Sequence, residues 1–294
     1  MLHTAWKPSK RCILAFGLFV MSLVGILLSL TETREKIIIM VSSKEHTTLK
    51  YVNRSFEIMD RWTGKIPSDA ELNDLTESQL EDLYWSYINT VQVLCRRIVR
   101  VGKIEDGGKE VCADEAFLPR PPCLVYSFGI NFQWDFDEDA ASMFGCKVFS
   151  FDPSMRGKSE TYNYTNDITF HMVGLGARNE VLQNQWKIRT LEQIRRDLNH
   201  TERTIHILKI DIEGSEWTSL PQMIQSGTLR SVKQMQIELH GTGSIDKLKV
   251  LRLLYEDGFQ IFMRDRNLNC KYSSTRFVRQ RTSCMEVSMI RVIS

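Results

Sequence analysis

From residue 123 onward, short apolar runs alternate with segments whose apolar residues recur at helical spacing. This alternation is typical of a mostly parallel, doubly wound sheet with helices on both faces. The last two apolar runs have no helical segment between them, which predicts an antiparallel hairpin at one edge. We therefore expect one α/β domain over residues 123–294 with a seven-stranded sheet. The predicted strands are residues 123–127, 147–152, 169–173, 204–211, 232–240, 259–264 and 285–292, and the predicted helices are residues 136–144, 191–198, 215–225 and 245–256.

The pattern changes on the N-terminal side of this domain. Thr76 and Gln79 have the spacing of a capping box, and apolar residues recur at helical spacing from Leu80 to Ile98. A long amphipathic helix that packs on the main domain is expected there. A segment rich in glycine and proline follows, so residues 69–122 are predicted to form a helical N-terminal extension. Residues 31–68 are polar and lack sustained periodicity, which indicates a stem.

Residues 12–30 form an apolar run without a single charge. At ~1.5 Å per residue this run spans roughly 29 Å as a helix, close to the hydrocarbon thickness of a bilayer. Lys7, Lys10 and Arg11 precede it and favour a cytosolic tail at residues 1–11. A cleaved signal peptide is the alternative, although such apolar regions usually hold only ~7–15 residues. We expect an uncleaved type II signal-anchor with the rest of the chain in the lumen of the endoplasmic reticulum or Golgi. Release by cleavage after the anchor is an open alternative.

Two further features agree with a lumenal location. Asn53, Asn163 and Asn199 each begin a glycosylation sequon. Outside the apolar run there are six cysteines, an even number that allows disulfides but permits fifteen full pairings. Cys270 and Cys284 are suitably placed to close a loop, whereas Cys146 lies in an apolar strand and is interpreted as a free core thiol.

Composition and charge exclude little but are informative about nucleic acids. The chain is 43% hydrophobic and 25% charged, as in ordinary globular proteins, and its net charge is +2. A chain this close to neutrality gives no electrostatic reason to expect a nucleic-acid partner. The small basic cluster of Arg276, Arg279 and Arg281 is interpreted as a solvated loop.

The ends of the first three predicted strands carry residues suited to a nucleotide-like cofactor. Residues 127–131 read SFGIN, and Gly129 allows a sharp turn and close approach of a ligand. Asp152 ends the second strand. The interval from Gly129 to Asp152 is close to the ~20 residues that separate such a glycine from a carboxylate that accepts hydrogen bonds from ribose hydroxyls. Gly174, after the third strand, either lets an adenine ring approach or only opens a loop. The predicted cofactor-binding residues are Ser127, Gly129, Asn131, Asp152, Gly174 and Asp211.

The fourth and fifth strands end in ionisable residues. Asp211 ends a buried apolar strand, where a carboxylate without a partner is costly. Glu238 and His240 share one face of the next strand because side chains alternate along a strand. If the two strands are neighbours, Asp211, Glu238 and His240 meet at one rim and are the candidate catalytic residues, with His240 as a general base. Alternatively, His240 is only a hydrogen-bonded strand end, or the three hold a divalent cation.

Residues 208–216 (LKIDIEGSE) resemble the signature of FkbM-like S-adenosylmethionine-dependent methyltransferases. Together with residues 126–129 (YSFG), 151–153 (FDP) and 237–240 (IELH), they resemble an animal subgroup of that family. Four motifs occur in order, and the resemblance covers residues 123–292, more than half of the chain.

The resemblance implies a Rossmann-like, seven-stranded sheet of the class I methyltransferases, S-adenosylmethionine as the methyl donor, and transfer usually to oxygen. By matched position, Gly129 lies under the cofactor, Asp152 contacts its ribose, and Asp211 lies near the methionine end or the acceptor. The chain departs from the wider class at Ser127, where an acidic residue is common, and at Gln133, where a second glycine is usual.

Three classes of function are compatible with these features. The leading one is an O-methyltransferase of the secretory-pathway lumen that acts on a glycan hydroxyl or a small molecule. The second is a non-catalytic binding module on the same fold, whose cofactor cleft would be filled by side chains. The third is a type II glycosyltransferase, with the acidic residues 137–139 (DED) or 211–213 (DIE) as a metal-binding motif for a sugar nucleotide.

Overall fold

The computed structural model describes residues 65–104, 106–155, 159–267, 269–270 and 281–292. The predicted cytosolic tail, the apolar run at 12–30 and nearly all of the predicted stem lie outside these residues. Within the described part of the chain, no helix has the length and apolar character needed to cross a membrane.

Six α-helices occur among the described residues, and several of them begin at a side chain that caps the helix. The side chains of Thr76, Thr190 and Ser244 each accept a hydrogen bond from a backbone N–H in the first turn of the helix that follows. The capping box predicted at Thr76 and Gln79 is complete. The helices are α1 (Asp69–Asn73), α2 (Glu77–Ile88), α3 (Asp135–Phe144), α4 (Leu191–Asp197), α5 (Glu216–Gln225) and α6 (Ile245–Glu256).

Strands were found at all seven predicted positions, and six further short strands accompany them. The β-strands are β1 (Ile98–Val101), β2 (Lys109–Cys112), β3 (Leu124–Phe128), β4 (Lys147–Phe151), β5 (Thr161–Asn163), β6 (Ile168–His171), β7 (Gly174–Leu175), β8 (Glu180–Val181), β9 (Lys187–Arg189), β10 (Ile205–Ile210), β11 (Val232–His240), β12 (Phe259–Arg266) and β13 (Cys284–Arg291).

The main sheet has the strand order β12-β13-β11-β10-β3-β4-β6-β5. The strands β6, β4, β3, β10 and β11 are mutually parallel, and the chain reverses its direction of travel across the sheet between β3 and β10. The expected antiparallel hairpin is confirmed: β13 pairs with β12 and inserts beside β11. The α/β architecture is therefore the predicted one.

The prediction of seven strands in this sheet was wrong by one. β5 adds an eighth at the edge, where it pairs antiparallel with β6. Its three residues, Thr-Tyr-Asn, are half-buried or exposed. A strand with so few buried side chains leaves no apolar pattern in the sequence.

The N-terminal extension is only partly helical, which corrects the prediction for residues 69–122. α2 ends at Ile88 rather than near Ile98, and β1 and β2 form an antiparallel pair after it. The apolar residues Val91 and Leu94, which continue the helical spacing, are 54% and 73% exposed. Instead of extending the helix, the backbone after Ile88 pairs with the sheet edge, where Ile261 O accepts hydrogen bonds from the amides of residues 92 and 93. Backbone pairing with an open edge strand therefore overrides the helical periodicity.

The six cysteines form three disulfides, Cys95–Cys112, Cys123–Cys146 and Cys270–Cys284. The third is the pair expected from the sequence. The interpretation of Cys146 as a free thiol was wrong. Leu124 and Lys147 are register partners in β3 and β4, so the residue before each strand also lies side by side, with Cα atoms 4.7 Å apart.

Arg281 also differs from its prediction as part of a solvated loop. Its side chain is 10% exposed and forms ion pairs with Glu81 at 2.9 Å and Asp82 at 2.6 Å. Arg281 thus attaches α2 to the segment that leads into β13. Arg276 and Arg279 lie outside the described residues.

We expect the double substitution Cys123→Ser and Cys146→Ser to lower the free energy of unfolding by about 2–4 kcal/mol, because it releases the loop that the disulfide closes. Urea unfolding monitored by tryptophan fluorescence measures the change. Thiol labelling of the unfolded wild-type protein without reductant should modify Cys12 alone. An unchanged urea midpoint together with labelling of Cys146 would contradict this pairing.

Candidate functional site

A cavity of about 490 Å³ opens at the carboxyl ends of β3, β4, β10 and β11. This is the crevice beside the reversal of strand order, where ligands of open α/β sheets bind. We call it the strand-end cavity. Seven of the eight predicted site residues line it, namely Gly129, Asn131, Asp152, Gly174, Asp211, Glu238 and His240.

Ser127 does not line the cavity, which corrects its prediction as a cofactor-binding residue. Its side chain is fully buried and donates a hydrogen bond to Asp137 Oδ2 in α3 at 3.3 Å. Ser150 of β4 donates to the other oxygen of the same carboxylate. Burial raises the pKa of Asp137 to about 6, against the opposing influence of Lys209. Ser127 therefore holds α3 on the sheet.

Gly129 begins the loop after β3 in a left-handed conformation, with φ of +78°. A Cβ atom at this position would lie 1.7 Å from the carbonyl oxygen of Asp211. The close approach of β3 and β10 thus requires a glycine even without a ligand. Asn131 and Phe132 in the same loop also have positive φ values, 43° and 63°. Left-handed non-glycine residues are costly and persist only where the surrounding structure holds them.

The carboxylate of Asp152 holds this loop from β4. Its Oδ2 accepts hydrogen bonds from the backbone amides of Ile130 at 3.0 Å and Asn131 at 2.8 Å. Its Oδ1 accepts from Ser154 N at 2.7 Å and from Ser154 Oγ at 2.6 Å. The side chain is 4% exposed, so these contacts replace its solvent almost completely.

Gly174 belongs to a small three-stranded sheet, β7-β9-β8, that forms one wall of the cavity. The predicted third strand ends at His171 instead of residue 173, so Gly174 begins a separate strand. A Cβ atom at Gly174 would lie 2.7 Å from Ile188 Cδ1 and 2.9 Å from Pro153 Cγ. The glycine therefore allows β9 and the β4 end to pack closely. The apolar wall consists of Pro153, Leu175, Leu182, Trp186 and Ile188.

We call this side of the strand-end cavity, with the loop 129–131 and the apolar wall, the loop end. The opposite side, the carboxylate end, is lined by Asp211 and Glu238, and Glu286 continues this row of acidic side chains outside the cavity lining. Asp211 follows the register pair Ile210–Ile237 beside Glu238, and Glu238 is the direct partner of Glu286 in β13. Lys109 from β2 contacts the Glu286 carboxylate, and its Nζ lies 3.9 Å from Asp211 Oδ2.

The row cannot be fully ionised. Burial raises the pKa of Glu238 to about 8, and the neighbouring carboxylates of Asp211 and Glu286 act in the same direction. Burial also opposes ionisation of Asp211, but the cations of Lys109 and Lys209 outweigh it and lower the pKa of Asp211. At neutral pH the arrangement therefore places an ionised Asp211 next to a protonated Glu238.

His240 is held by Glu216, a fully buried residue at the start of α5. Glu216 Oε1 accepts from the backbone amide of His240 at 2.8 Å and lies 3.2 Å from its Nδ1. His240 Nε2 lies 3.5 Å from the exposed carboxylate of Glu213. Burial opposes protonation, but the bond to Glu216 and the nearby carboxylates raise the pKa of His240 to about 9. A histidine that is a cation at neutral pH is poorly suited to the predicted role of general base.

The two metal-binding alternatives differ in their geometry. Asp211 and His240 have ligand atoms within 4.8 Å of each other in a group with Glu213, not with Glu238. The DED run of α3 does not converge at all. The Asp137 carboxylate binds two serines, Glu138 accepts from Tyr164 OH at 2.7 Å, and Asp139 accepts from Gly102 N at 2.9 Å. The acidic motif of the glycosyltransferase alternative is thus absent from α3.

Sequence reasoning missed several residues of the site. Lys209 Nζ donates to Gly129 O at 2.8 Å and joins β10 to the loop. A lysine inside an apolar strand was the signal available for it. Asn267 Nδ2 donates to Glu238 Oε1 at 2.9 Å and to Asp106 Oδ1 at 3.0 Å. Lys109 and Asp106 belong to the β1–β2 hairpin, which no sequence pattern had indicated.

Comparison with known proteins agrees with this geometry. A family model described as a methyltransferase domain matches residues 52–291. The chain is 27% identical over 172 residues to the probable methyltransferase-like protein 24 of Rattus norvegicus, a match that covers 53% of this chain and 46% of that protein. It is 25% identical over 169 residues to the Homo sapiens protein of the same name, covering 52% and 45%. The chain thus matches about half the length of these relatives. They represent the animal subgroup that the four motifs resemble, and the resemblance is confirmed.

The His240–Glu216 contact predicts a pH-dependent stability. Because the folded pKa of His240 is raised to about 9, its contribution is fully present below the unfolded value of about 6.5. The contribution is lost as the pH rises through about 9, and we expect a loss of roughly 2 kcal/mol. Glu238, whose pKa is raised to about 8, also loses stability over this range, so the contribution of His240 is measured as the difference between the wild type and a Glu216→Gln variant in urea unfolding at about pH 6 and about pH 9.5.

Glu216→Gln should reduce this pH dependence to the part that Glu238 contributes, whereas Glu213→Gln should leave most of it, because the Glu213 side chain is 87% exposed. Equal slopes in the wild type and the Glu216→Gln variant would show that Glu216 does not raise the pKa of His240.

Proposed function

This chain belongs to the methyltransferase-domain family, and from that membership we propose that it transfers a methyl group from S-adenosylmethionine to a hydroxyl oxygen. One observation carries the proposal. The strand-end cavity joins a loop end with an apolar wall to a carboxylate end with an ionised Asp211. The apolar loop end suits an adenosine, and the carboxylate end suits proton removal from an acceptor.

The residues of the loop end fit the proposed donor. Trp186 and Leu182 offer an apolar surface to an adenine ring, and the loop 129–131 supplies a backbone that a ligand can approach closely. Asn131 and Ser154 add polar side chains to the lining of the cavity. When bound, S-adenosylmethionine supplies an electrophilic methyl group on a positively charged sulfonium.

Asp211 is the residue that we propose to accept the proton of the acceptor hydroxyl. Its ionised form is favoured by Lys109 and Lys209, and it lines the cavity with one-fifth of its side chain exposed. Glu238 lies beside it and is fixed by the Asn267 amide. Because His240 is protonated at neutral pH, we propose that its positive charge stabilises the ionised carboxylate of Asp211. In this proposal the arrangement orients the acceptor oxygen towards the methyl donor.

The proposed acceptor is a glycan or a small hydroxylated molecule. Carboxylate and amide side chains at the mouth of the carboxylate end are suited to hydrogen bonds with several hydroxyls. These side chains are Asp106, Glu213, Asn267 and Asn269, all of which line the cavity. The names of the two relatives do not identify a methyl acceptor.

We propose the secretory-pathway lumen as the compartment. Three disulfides in one domain are typical of proteins that fold under oxidising conditions. The asparagines of two sequons, Asn163 and Asn199, are exposed as glycosylation requires. The type II anchor at residues 12–30 stays a prediction of the sequence.

Two observations weigh against the other classes of function. A non-catalytic module was expected to have its cleft filled by side chains, but the strand-end cavity is open. Of the two acidic motifs considered for a glycosyltransferase, the DED side chains of α3 diverge. Asp211 and Glu213 of the DIE motif do converge, with ligand atoms within 4.8 Å of each other and of His240.

We expect S-adenosylmethionine to protect the protein against heat without added metal, whereas a UDP-sugar with manganese gives no protection. At about 100 times its Kd a ligand adds about 2.7 kcal/mol, which corresponds to roughly 5–10 °C for a domain of this size. Differential scanning fluorimetry measures the shift. Trp186→Ala should reduce the shift, and Val181→Ala, in β8 and outside the cavity lining, should not. Protection by the UDP-sugar alone would favour the glycosyltransferase class.

With an acceptor found by screening neutral glycans and small hydroxylated molecules with labelled donor, Asp211→Asn should lower kcat by about 10²–10⁴-fold. The loss follows because the neutral amide cannot take up the proton. His240→Gln should have a smaller effect, and the rate of the wild type should not rise steeply towards pH 9. Unchanged turnover in the Asp211→Asn variant would contradict the proposed role of Asp211.

A further inference from the structure

The disulfide between Cys270 and Cys284 forms part of the wall of the strand-end cavity. Both cysteines line the cavity, and Cys270 Sγ lies 3.8 Å from Glu238 Oε1. The cysteines of the other two disulfides are not among the residues that line it. Cys123 and Cys146, for example, precede the amino ends of β3 and β4, at the opposite edge of the sheet. One disulfide of the three is therefore built into the site.

This cross-link determines where Asn267 lies. β12 ends one residue before Asn267, and three residues after Asn267 the chain is tied by Cys270 to the first residue of β13. That residue, Cys284, is the direct partner of His240 in β11. Within the turn itself, Asn269 N donates to Asn267 Oδ1 at 3.0 Å and Cys270 N to Asn267 O at 3.4 Å. The disulfide thus joins a short turn to the strands that carry the carboxylate end.

Asn267 passes this constraint on to the carboxylate end. Its Nδ2 donates to Glu238 Oε1 at 2.9 Å and to Asp106 Oδ1 at 3.0 Å. The Glu238 carboxyl lies beside Asp211, the residue proposed to accept the proton. The loop end is held by contacts of β3, β4 and the small sheet instead. Release of the cross-link therefore disturbs the acceptor side of the cavity and leaves the donor side in place.

The same disulfide is the one that a reductant reaches most easily. A thiolate must contact a disulfide sulfur to reduce it. Five of the six disulfide cysteines are at most 6% exposed, whereas Cys270 is half-buried and faces the cavity. His240, a cation at neutral pH, lies opposite Cys284 and stabilises the thiolate that leaves when the bond breaks.

We propose that the Cys270–Cys284 disulfide is a redox-sensitive positioning element of the carboxylate end, and that its reduction by a dithiol lowers acceptor turnover while donor binding persists. The effect on turnover rests on the proposed function. The order in which the three disulfides are reduced, and the release of the turn at Asn267, do not depend on that function.

The reduction consumes one dithiol. Its first thiolate attacks Cys270 Sγ, the bond between the two protein sulfurs breaks, and Cys284 leaves as a thiolate that takes up a proton. The second thiol of the reductant loses its proton and attacks the mixed disulfide, which releases Cys270 as a thiol. Two electrons pass to the protein, and the reductant becomes a disulfide.

The first measurement is graded reduction of the full-length protein with dithiothreitol, after the thiol of Cys12 has been blocked. Newly formed thiols are alkylated and identified by mass spectrometry. We expect Cys270 and Cys284 to be modified at the lowest concentration of reductant, with the other four cysteines still paired. Reduction of either other disulfide first would overturn the proposal.

The second measurement compares the selectively reduced protein with the oxidised one. Hydrogen–deuterium exchange of the amides of residues 267–270 should increase, and the Kd of S-adenosylhomocysteine should change by no more than about twofold. Turnover of an acceptor found by the screen described above should fall by about tenfold or more, because the acceptor side is no longer positioned. Reoxidation should restore both exchange and turnover.

Variants separate positioning from a general loss of stability. Cys270→Ser with Cys284→Ser should reproduce the reduced protein, whereas Cys123→Ser with Cys146→Ser removes a disulfide outside the cavity and should keep the turnover of the folded protein. Asn267→Ala should lower turnover about as much as reduction does, and reduction of this variant should then add little.

Two further results would contradict the proposal: unchanged turnover and exchange after selective reduction, or loss of donor binding together with turnover. Failure of the proposed function is distinguishable, because the oxidised wild-type protein then binds neither S-adenosylmethionine nor S-adenosylhomocysteine. In that case the order of reduction and the exchange at residues 267–270 still decide whether the disulfide is redox-sensitive and positions the turn.

Discussion

The parallel pairing of β3 with β10 is the constraint on which the site depends. At this pairing the sheet changes its direction of growth, and the strand-end cavity opens beside the carboxyl ends of the two strands. Asp211 N still donates to Phe128 O, and one residue later the chains are so close that only a glycine fits at position 129. The turn at Gly129 then sends the loop across the end of β4, where Asp152 binds its amides. One contact between two strands thus fixes where the cavity opens and which backbone lines it.

Electrostatics divides this cavity into two chemically different ends. Three carboxylates lie side by side on β10, β11 and β13 because adjacent strands place residues of equal register next to each other. The cation of Lys109, which is 1% exposed, and the protonation of Glu238 compensate charges that burial would otherwise penalise. Asp211 stays ionised at the cavity, as the proposed proton removal requires. At the loop end the Asp152 carboxylate accepts four hydrogen bonds from the chain itself.

The N-terminal extension completes the site and does not merely precede it. The β1–β2 hairpin supplies Lys109 from beneath the carboxylate row and Asp106 at the cavity mouth. It is fastened to the sheet by Gln234, whose side-chain amide bonds both backbone groups of Cys112. The disulfide between Cys95 and Cys112 closes the segment that leads into the hairpin. A buried lysine on an added hairpin therefore has its charge partners on the main sheet, and the two parts depend on each other.

The sequence by itself determined the α/β class, the approximate strands, the helix caps and the strand ends at which chemistry collects. Local periodicity carries this information, because it reports which face of an element is buried. Periodicity does not report which other element packs against that face. The partners of Ser127 and Asp152, the pairing of Cys146 with Cys123, and the end of α2 at Ile88 were decided by neighbouring strands. Lys109 reaches Glu286 across 177 residues of sequence, a separation at which no local pattern operates. Tertiary structure alone decided which polar groups are consumed by the fold and which are left to meet a ligand, because hydrogen-bond saturation depends on contacts distant in the chain.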